Sequence, residues 1–185
     1  MFEAFKKGQR IKELGVAKKG IVTGDNNRFM RFFWEVNEKK INYQWYLCSK
    51  GGNFRKYYGN LIYVVNWSQN AQDYYVNNKS SSTLKKEYCM KEGVTYNTIT
   101  SGTSGFRYLP MNYLFVDGGP TVVNISNIFY CLGVLNSKIT KLILDILNPT
   151  INLKLYNVNE IPIIFDESFD KEIGILFLIL FQICA

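Results

Sequence analysis

Lys50-Gly51-Gly52-Asn53-Phe54-Arg55-Lys56-Tyr57-Tyr58-Gly59-Asn60 gathers glycines, three cations, and aromatic and amide side chains into one loop-sized stretch. This chemistry suits a polyanion. Glycine lets backbone N–H groups approach a phosphate, Lys50, Arg55 and Lys56 neutralise it, and Tyr57 and Asn60 can reach bases or sugars. The same residues also describe a tight hairpin loop with a solvated charge cluster, so the surroundings must decide.

Two further polar stretches carry hydrogen-bonding chemistry. Gly24-Asp25-Asn26 reads as a turn that displays Thr23, Asn26, Asn27 and Arg28, with Thr23, Gly24, Asn26 and Arg28 as candidate DNA-binding positions. It is either a good turn alone or a DNA-facing loop, because Asn and Arg match the edges of adenine and guanine. Thr100-Ser101-Gly102-Thr103-Ser104-Gly105 has the composition of a phosphate cradle but lacks the lysine of a nucleotide-binding P-loop. It is read as a DNA-contacting or a structural turn, with Ser101 and the following Arg107 as candidate base contacts.

Other chemistry is excluded or thinly supported. The chain has no histidine, which removes Ser/His/Asp and Cys/His nucleophilic machinery and most catalytic zinc sites. Cys48, Cys89, Cys131 and Cys184 are far apart, form no C-x-x-C pair and are read as reduced thiols of a cytoplasmic protein. Asp25 with Glu38-Lys39-Lys40 loosely matches the acidic residues of a metal-dependent nuclease, although Glu38-Lys39 equally makes a polar turn.

The elements that must position the basic loop follow from pattern. Phe2 to Leu14 fits a short helix ended by Gly15, weakened at Gly8. Val16 to Val22 reads as a short strand. Met30–Val36 and Ile41–Cys48 are dense in aromatic and β-branched residues and are expected to be strands joined by a turn at Glu38-Lys39-Lys40. Leu61–Trp67 is a further buried strand, so the loop has β-structure on both sides. Ser68 to Glu92 reads as a polar, flexible excursion. Strands are expected at Glu92–Tyr96, Phe106–Leu109 and Tyr113–Val116. Helical spacing from about Ser126 to Leu147 predicts a helix broken at Asn136-Ser137, stopped by Pro149 and followed by a half-exposed strand at Ile151–Leu155.

At 185 residues, 47% hydrophobic and 16% aromatic, the chain can bury one real core, so disorder is not expected. The net charge of +7 is concentrated at one end. The first sixty residues hold 13 Lys and Arg against 5 Asp and Glu, while the remainder holds 9 against 10. This asymmetry predicts an anionic partner, nucleic acid before membrane. No secretory leader is read at the N-terminus, and the apolar run Ile173–Cys184 is shorter than the roughly 20 residues that span a bilayer. That run is expected to be a helix that packs against this or another domain, or that supports homo-oligomers.

Gly20-Ile-Val-Thr-Gly24-Asp-Asn-Asn-Arg-Phe29, the Lys50–Asn60 stretch, Val65-Asn66-Trp67, Glu92-Gly-Val-Thr95, Arg107-Tyr-Leu-Pro110, Leu135-Asn-Ser137, Leu147-Asn-Pro-Thr150 and Ile161-Pro162 occur in this order. The set resembles the C-terminal target-recognition portion of PglX-like methyltransferases of BREX phage defence and of related type IIG restriction-modification enzymes. The resemblance implies an α+β fold, with a mixed, mainly antiparallel sheet and a helical segment in the C-terminal half. It also implies a division into an N-terminal helix or linker (1–19), a DNA target-recognition domain (20–163) and an apolar tail (164–185). Its partners would be double-stranded DNA and a methyltransferase catalytic domain or subunit.

Such enzymes methylate a flipped adenine with S-adenosylmethionine, using a glycine-rich cofactor motif and an Asn/Asp-Pro-Pro-Tyr/Phe motif. Asn148-Pro149-Thr150-Ile151 lacks the second proline and the aromatic, so no cofactor is expected in this chain and no methyl transfer by it alone. Lys50, Gly51, Gly52, Arg55 and Lys56 are then expected to grip phosphates, with Asn26, Arg28, Asn60, Ser101 and Arg107 reading base edges. The alternatives are the metal-dependent nuclease and a structural or interaction remnant without DNA affinity.

Overall fold

The computed structural model describes residues 2–100, 102–148, 150–166, 168 and 172. Two four-stranded sheets carry the fold, with two clusters of buried apolar residues. The first holds β2 (Val16–Lys18), β6 (Gly93–Tyr96), β7 (Phe106–Leu109) and β9 (Thr121–Val123), in the order β2-β9-β6-β7 and antiparallel throughout. The second holds β3 (Met30–Phe32), β4 (Trp45–Ser49), β5 (Tyr63–Asn66) and β8 (Leu114–Phe115), in the order β3-β5-β4-β8. Its one parallel pair joins β4 to β8. The fold is therefore α+β with mainly antiparallel sheets.

Helices close the two cores. α5 (Ile128–Leu135) and α6 (Lys138–Leu147) pack on the first sheet with α7 (Leu155–Asn159), burying Leu132, Leu135, Leu144 and Val158 with Val94, Tyr96 and Phe106. The break at Asn136-Ser137 is where the sequence places it. Ser137 is the N-cap of α6, its Oγ accepting the Thr140 N–H at 3.2 Å. α4 (Gln69–Asn77) closes the second core through Ala71 and Tyr75, one turn apart on its inner face.

Several local expectations are revised. Phe2–Leu14 is not one helix: α1 (Phe2–Lys7) ends before a two-residue strand β1 (Gln9–Arg10), and α2 (Ile11–Leu14) follows. Strand β1 pairs with β10 (Pro162–Ile163), and β2 with β9, so Gln9–Arg10 and Val16–Lys18 are built into sheets on either side of α2. Gly24-Asp25-Asn26 leads into a single turn of helix, α3 (Asn26–Phe29), because the Asp25 carboxylate caps it by accepting the Arg28 N–H at 3.0 Å. β3 and β4 do not form a hairpin, since β5 lies between them. The polar 68–92 stretch contains α4, whose amphipathic pattern is hidden among Asn and Gln. Ile151–Leu155 holds only an isolated bridge, Asn152 to Ile99, before α7 begins. The expectations for Pro149, for Cys184 and for the run Ile173–Cys184 lie outside the described residues.

The two sheets are tied where β4 passes β6. Ser49 Oγ lies 2.8 Å from Thr95 Oγ1 in a fully buried site, and Thr95 Oγ1 also reaches the Pro120 carbonyl at 3.2 Å. A second crossing sets Ile21 beside Val116. There Gly20 has no room for a side chain, because a methyl group would stand 2.3 Å from the Val116 carbonyl carbon. Gly20→Ala is therefore expected to cost about 2 kcal/mol or more through overpacking against rigid backbone. Ser137→Ala should lose only the cap, about 1 kcal/mol. Urea midpoints at unchanged slope test this ranking.

Candidate nucleic-acid interface

The basic loop between β4 and β5 is held at three points rather than projecting freely. Its first half crosses the Asp117–Pro120 turn at Gly51, whose φ of +91° and 2.6 Å clearance from the Gly118 carbonyl demand glycine. Its middle is closed by Asn60, which donates from Nδ2 to the Asn53 carbonyl at 2.8 Å. Its second half runs along the edge of β7. There Tyr57 N–H donates to the Phe106 carbonyl and Tyr108 N–H to the Tyr57 carbonyl, each at 2.8 Å.

Arg107 organises the wall behind the loop. It is 0% exposed. Its Nη2 donates to Asn97 Oδ1 at 2.8 Å, and Asn97 Nδ2 in turn donates to the Gly52 carbonyl at 2.6 Å. Nη1 makes a long 3.4 Å contact to the Gly105 carbonyl, and Nε has no partner among the described residues. Among the described residues no carboxylate pairs with this guanidinium. Burial lowers its pKa to about 10, so it stays charged at neutral pH.

In front of this wall lies an open cleft of about 360 Å³, lined by Gly52, Asn53, Phe54, Asn97, Thr100 and Thr103 among others. The backbone N–H groups of Gly52, Asn53 and Phe54 have no acceptor among the described residues. Unpaired N–H groups, amides, hydroxyls and a buried positive charge together make an environment for an oxyanion. An adjoining cleft of about 370 Å³ extends past Lys50 to Asp117, whose carboxylate is 3.5 Å from Lys19 Nζ.

The other expected residues divide clearly. Gly52 lines the cleft and Lys50 the adjoining one, Asn60 holds the loop through the Asn53 carbonyl, and Gly51 and Arg107 are buried. Arg55 is exposed on the loop. Lys56 is turned inward, its Nζ donating to the Asn136 carbonyl at 2.7 Å at the end of α5. Tyr57 is partly exposed and has a φ of +69°. Thr23 is buried, its hydroxyl donating to Asn26 Oδ1 at 2.7 Å, and Gly24 turns the chain beside Ser80. Arg28 is exposed, with its guanidinium carbon 4.8 Å from the Phe29 ring centre and 5.0 Å from that of Tyr74. Thr23, Gly24, Asn26 and Arg28 thus lie on the α3 side, and Lys50 lines clefts on both sides. Ser101 lies outside the described residues.

Sequence reading passed over Asn97 and named Phe54, Thr100 and Thr103 only as members of longer polar stretches. Asn97 is the one that matters most, and its only sequence signal is a carboxamide directly after the buried strand β6. Among the described residues no three His, Cys, Asp or Glu side chains are grouped to hold a metal, and Asp25 is committed to capping α3. No helix among them is long and apolar enough to cross a membrane.

Asn97→Ala is expected to cost about 1.5–3 kcal/mol, because it strips an acceptor from a buried cation and a donor from the Gly52 carbonyl. Lys56→Ala should cost about 1 kcal/mol, whereas Arg55→Ala should fall within about 0.5 kcal/mol of the parent. Chemical denaturation of the three variants checks the order.

No family model matches the chain. Two curated relatives do. It is 31% identical over 175 residues to the adenine-specific methyltransferase PglX of Lacticaseibacillus casei (strain Zhang), an alignment covering 83% of this chain and 14% of the relative. It is 29% identical over 159 residues to the adenine-specific methyltransferase BrxX of Escherichia coli O9:H4 (strain HS), covering 80% of this chain and 13% of the relative. The chain thus spans about one-seventh of the length of the relatives it matches, and it is homologous to a segment of PglX- and BrxX-type adenine-specific methyltransferases.

Proposed function

We propose that this chain is the DNA-binding, target-recognition part of an adenine-specific methyltransferase of a BREX-type phage-defence system. Methyl transfer, with its S-adenosylmethionine, belongs to a catalytic region that acts with it. One observation carries the reading: among the described residues, a buried Arg107 has no counter-anion, and the N–H groups of Gly52, Asn53 and Phe54 at the neighbouring cleft have no acceptor. A buried, unpaired cation costs several kcal/mol, and a phosphate in the cleft offsets that cost. The concentration of cations in the first sixty residues and the homology to adenine-specific methyltransferases support the same partner.

The division of labour follows from placement. The glycine loop, Lys50 and Arg55 hold the backbone and set register, which gives affinity but no sequence information. Readout falls to polar groups beside it, Asn53, Thr100 and Thr103 on one side and Asn26 and Arg28 on the other. Asn60 and Lys56 shape the loop from inside.

The test is fluorescence anisotropy of a labelled duplex titrated with the full chain across a salt series. Affinity should fall linearly on a log–log plot, with a slope of about −0.9 for each phosphate neutralised. Lys50→Glu and Arg55→Glu should each weaken binding to all sequences alike and flatten that slope by about one. Binding that is absent, or indifferent to salt and to both substitutions, would sink the reading.

A further inference from the structure

We propose that the outer face of α6 pairs with the same face of a second copy of this chain, the two helices running antiparallel about a two-fold axis. This pairing stands apart from the DNA-binding reading above and does not depend on it.

α6 carries two apolar faces rather than one. Thr140, Ile143 and Leu144 point inward and are buried. Ile139, Leu142 and Ile146 lie on a separate stripe and are 66%, 53% and 60% exposed. Scattered apolar residues on a surface are ordinary, but three large ones aligned along one helix leave a continuous apolar strip in water. Their spacing of three and then four is that of the seam between two packed helices.

Charge selects the occupant. Lys138 and Lys141 stand in the first half of α6 and Asp145 in its last turn, all exposed. This order is the reverse of the one the helix macrodipole favours, which is acid near the N-terminus and base near the C-terminus. Lys141 Nζ contacts the Asp145 carboxylate at 2.5 Å, and Lys138 has no carboxylate partner among the described residues. An antiparallel copy satisfies all three. With Ile139 of one helix facing Ile146 of the other, the two Leu142 side chains meet at the centre and the basic half of each helix lies against the acidic end of its neighbour. Lys138 then comes within two residues' rise, about 3 Å along the axis, of Asp145 in the other copy.

A two-fold contact must be complementary to itself, and this face is so in both its apolar and its charged residues. Duplex DNA matches neither the stripe nor the Asp145 carboxylate. The reversed charges favour an antiparallel copy over a partner that fits the stripe alone. The contact is small, because a helix of 10 residues is only about 15 Å long. It falls below the roughly 1,200 Å² at which standard interfaces begin, so a dissociation constant of about 10–100 μM is expected.

The experiment is sedimentation equilibrium of the full chain from about 1 to 300 μM, a range set by that constant. A monomer–dimer equilibrium is expected. Leu142→Glu, at an exposed position, should leave the chain folded by circular dichroism and monomeric throughout. Asp145→Lys should weaken the dimer about tenfold, and adding Lys138→Glu and Lys141→Glu to that variant should recover it, because opposite charges face each other again. A monomer at every concentration would overturn the proposal. A dimer that survives Leu142→Glu would also overturn it, by placing the contact on another surface. Failure of the triple charge exchange to recover the dimer would overturn the antiparallel pairing.

Discussion

The hydrogen bond from Arg107 to Asn97 is the interaction on which the functional face depends. It places a permanent positive charge in the interior, fixes the carboxamide that holds the Gly52 carbonyl, and so sets the shape of the cleft from behind. Lysine could not serve in this position. A buried ammonium is neutralised readily, whereas a guanidinium whose pKa falls only to about 10 remains charged, and its fork can reach both Asn97 and Gly105. Among the described residues its Nε finds no partner, so the cost of burying that charge is incompletely offset there.

The rest of the architecture gives that relay a rigid frame. β7, which carries Arg107, is an edge strand of its sheet, and the loop's Tyr57 backbone pairs with its free side. Asn136 exchanges two hydrogen bonds with the Phe106 backbone and accepts Lys56, joining the α5–α6 junction to both β7 and the loop. The buried Ser49–Thr95 contact holds the second sheet against the first at the point where the loop departs. Loop, edge strand and helix junction are therefore joined by hydrogen bonds, and the cations of the loop are divided between structure and surface. Lys56 is bound inside, whereas Lys50 and Arg55 face outward.

Much of the secondary structure was legible because its signals are local. β5, β6 and β7 are short runs of β-branched and aromatic residues, and the α5–α6 break follows from Asn136 and the capping Ser137. Elements stabilised by distant partners were not legible. β9, only Thr121–Val123, is a strand because β2 and β6 flank it, and β2 itself was found only as part of a longer run. The amphipathic face of α4 reduces to Ala71 and Tyr75 among amides, too sparse a pattern to separate from a polar loop. Conversely, the outer face of α6 carries Ile139, Leu142 and Ile146 in exposed positions, so that its periodicity announces a helix without saying which side is buried.

By itself, the sequence determined that this chain combines short strands with a broken helix in its second half, that its positive charge lies in the first third, and that a glycine-rich, cationic stretch bounded by strands is its best candidate for gripping an anion. These follow from side-chain size, charge and backbone freedom, which are properties of neighbouring residues. Only the tertiary structure decided which cations are available and what stands behind the loop. Arg107 and Asn97 lie ten positions apart, Lys56 and Asn136 eighty, and Phe32 and Tyr63 meet only because β3 pairs with β5. Burial converts Arg107 from an expected base reader into the hidden charge of the cleft, and that change depends on the dielectric of its surroundings, which no stretch of sequence specifies alone.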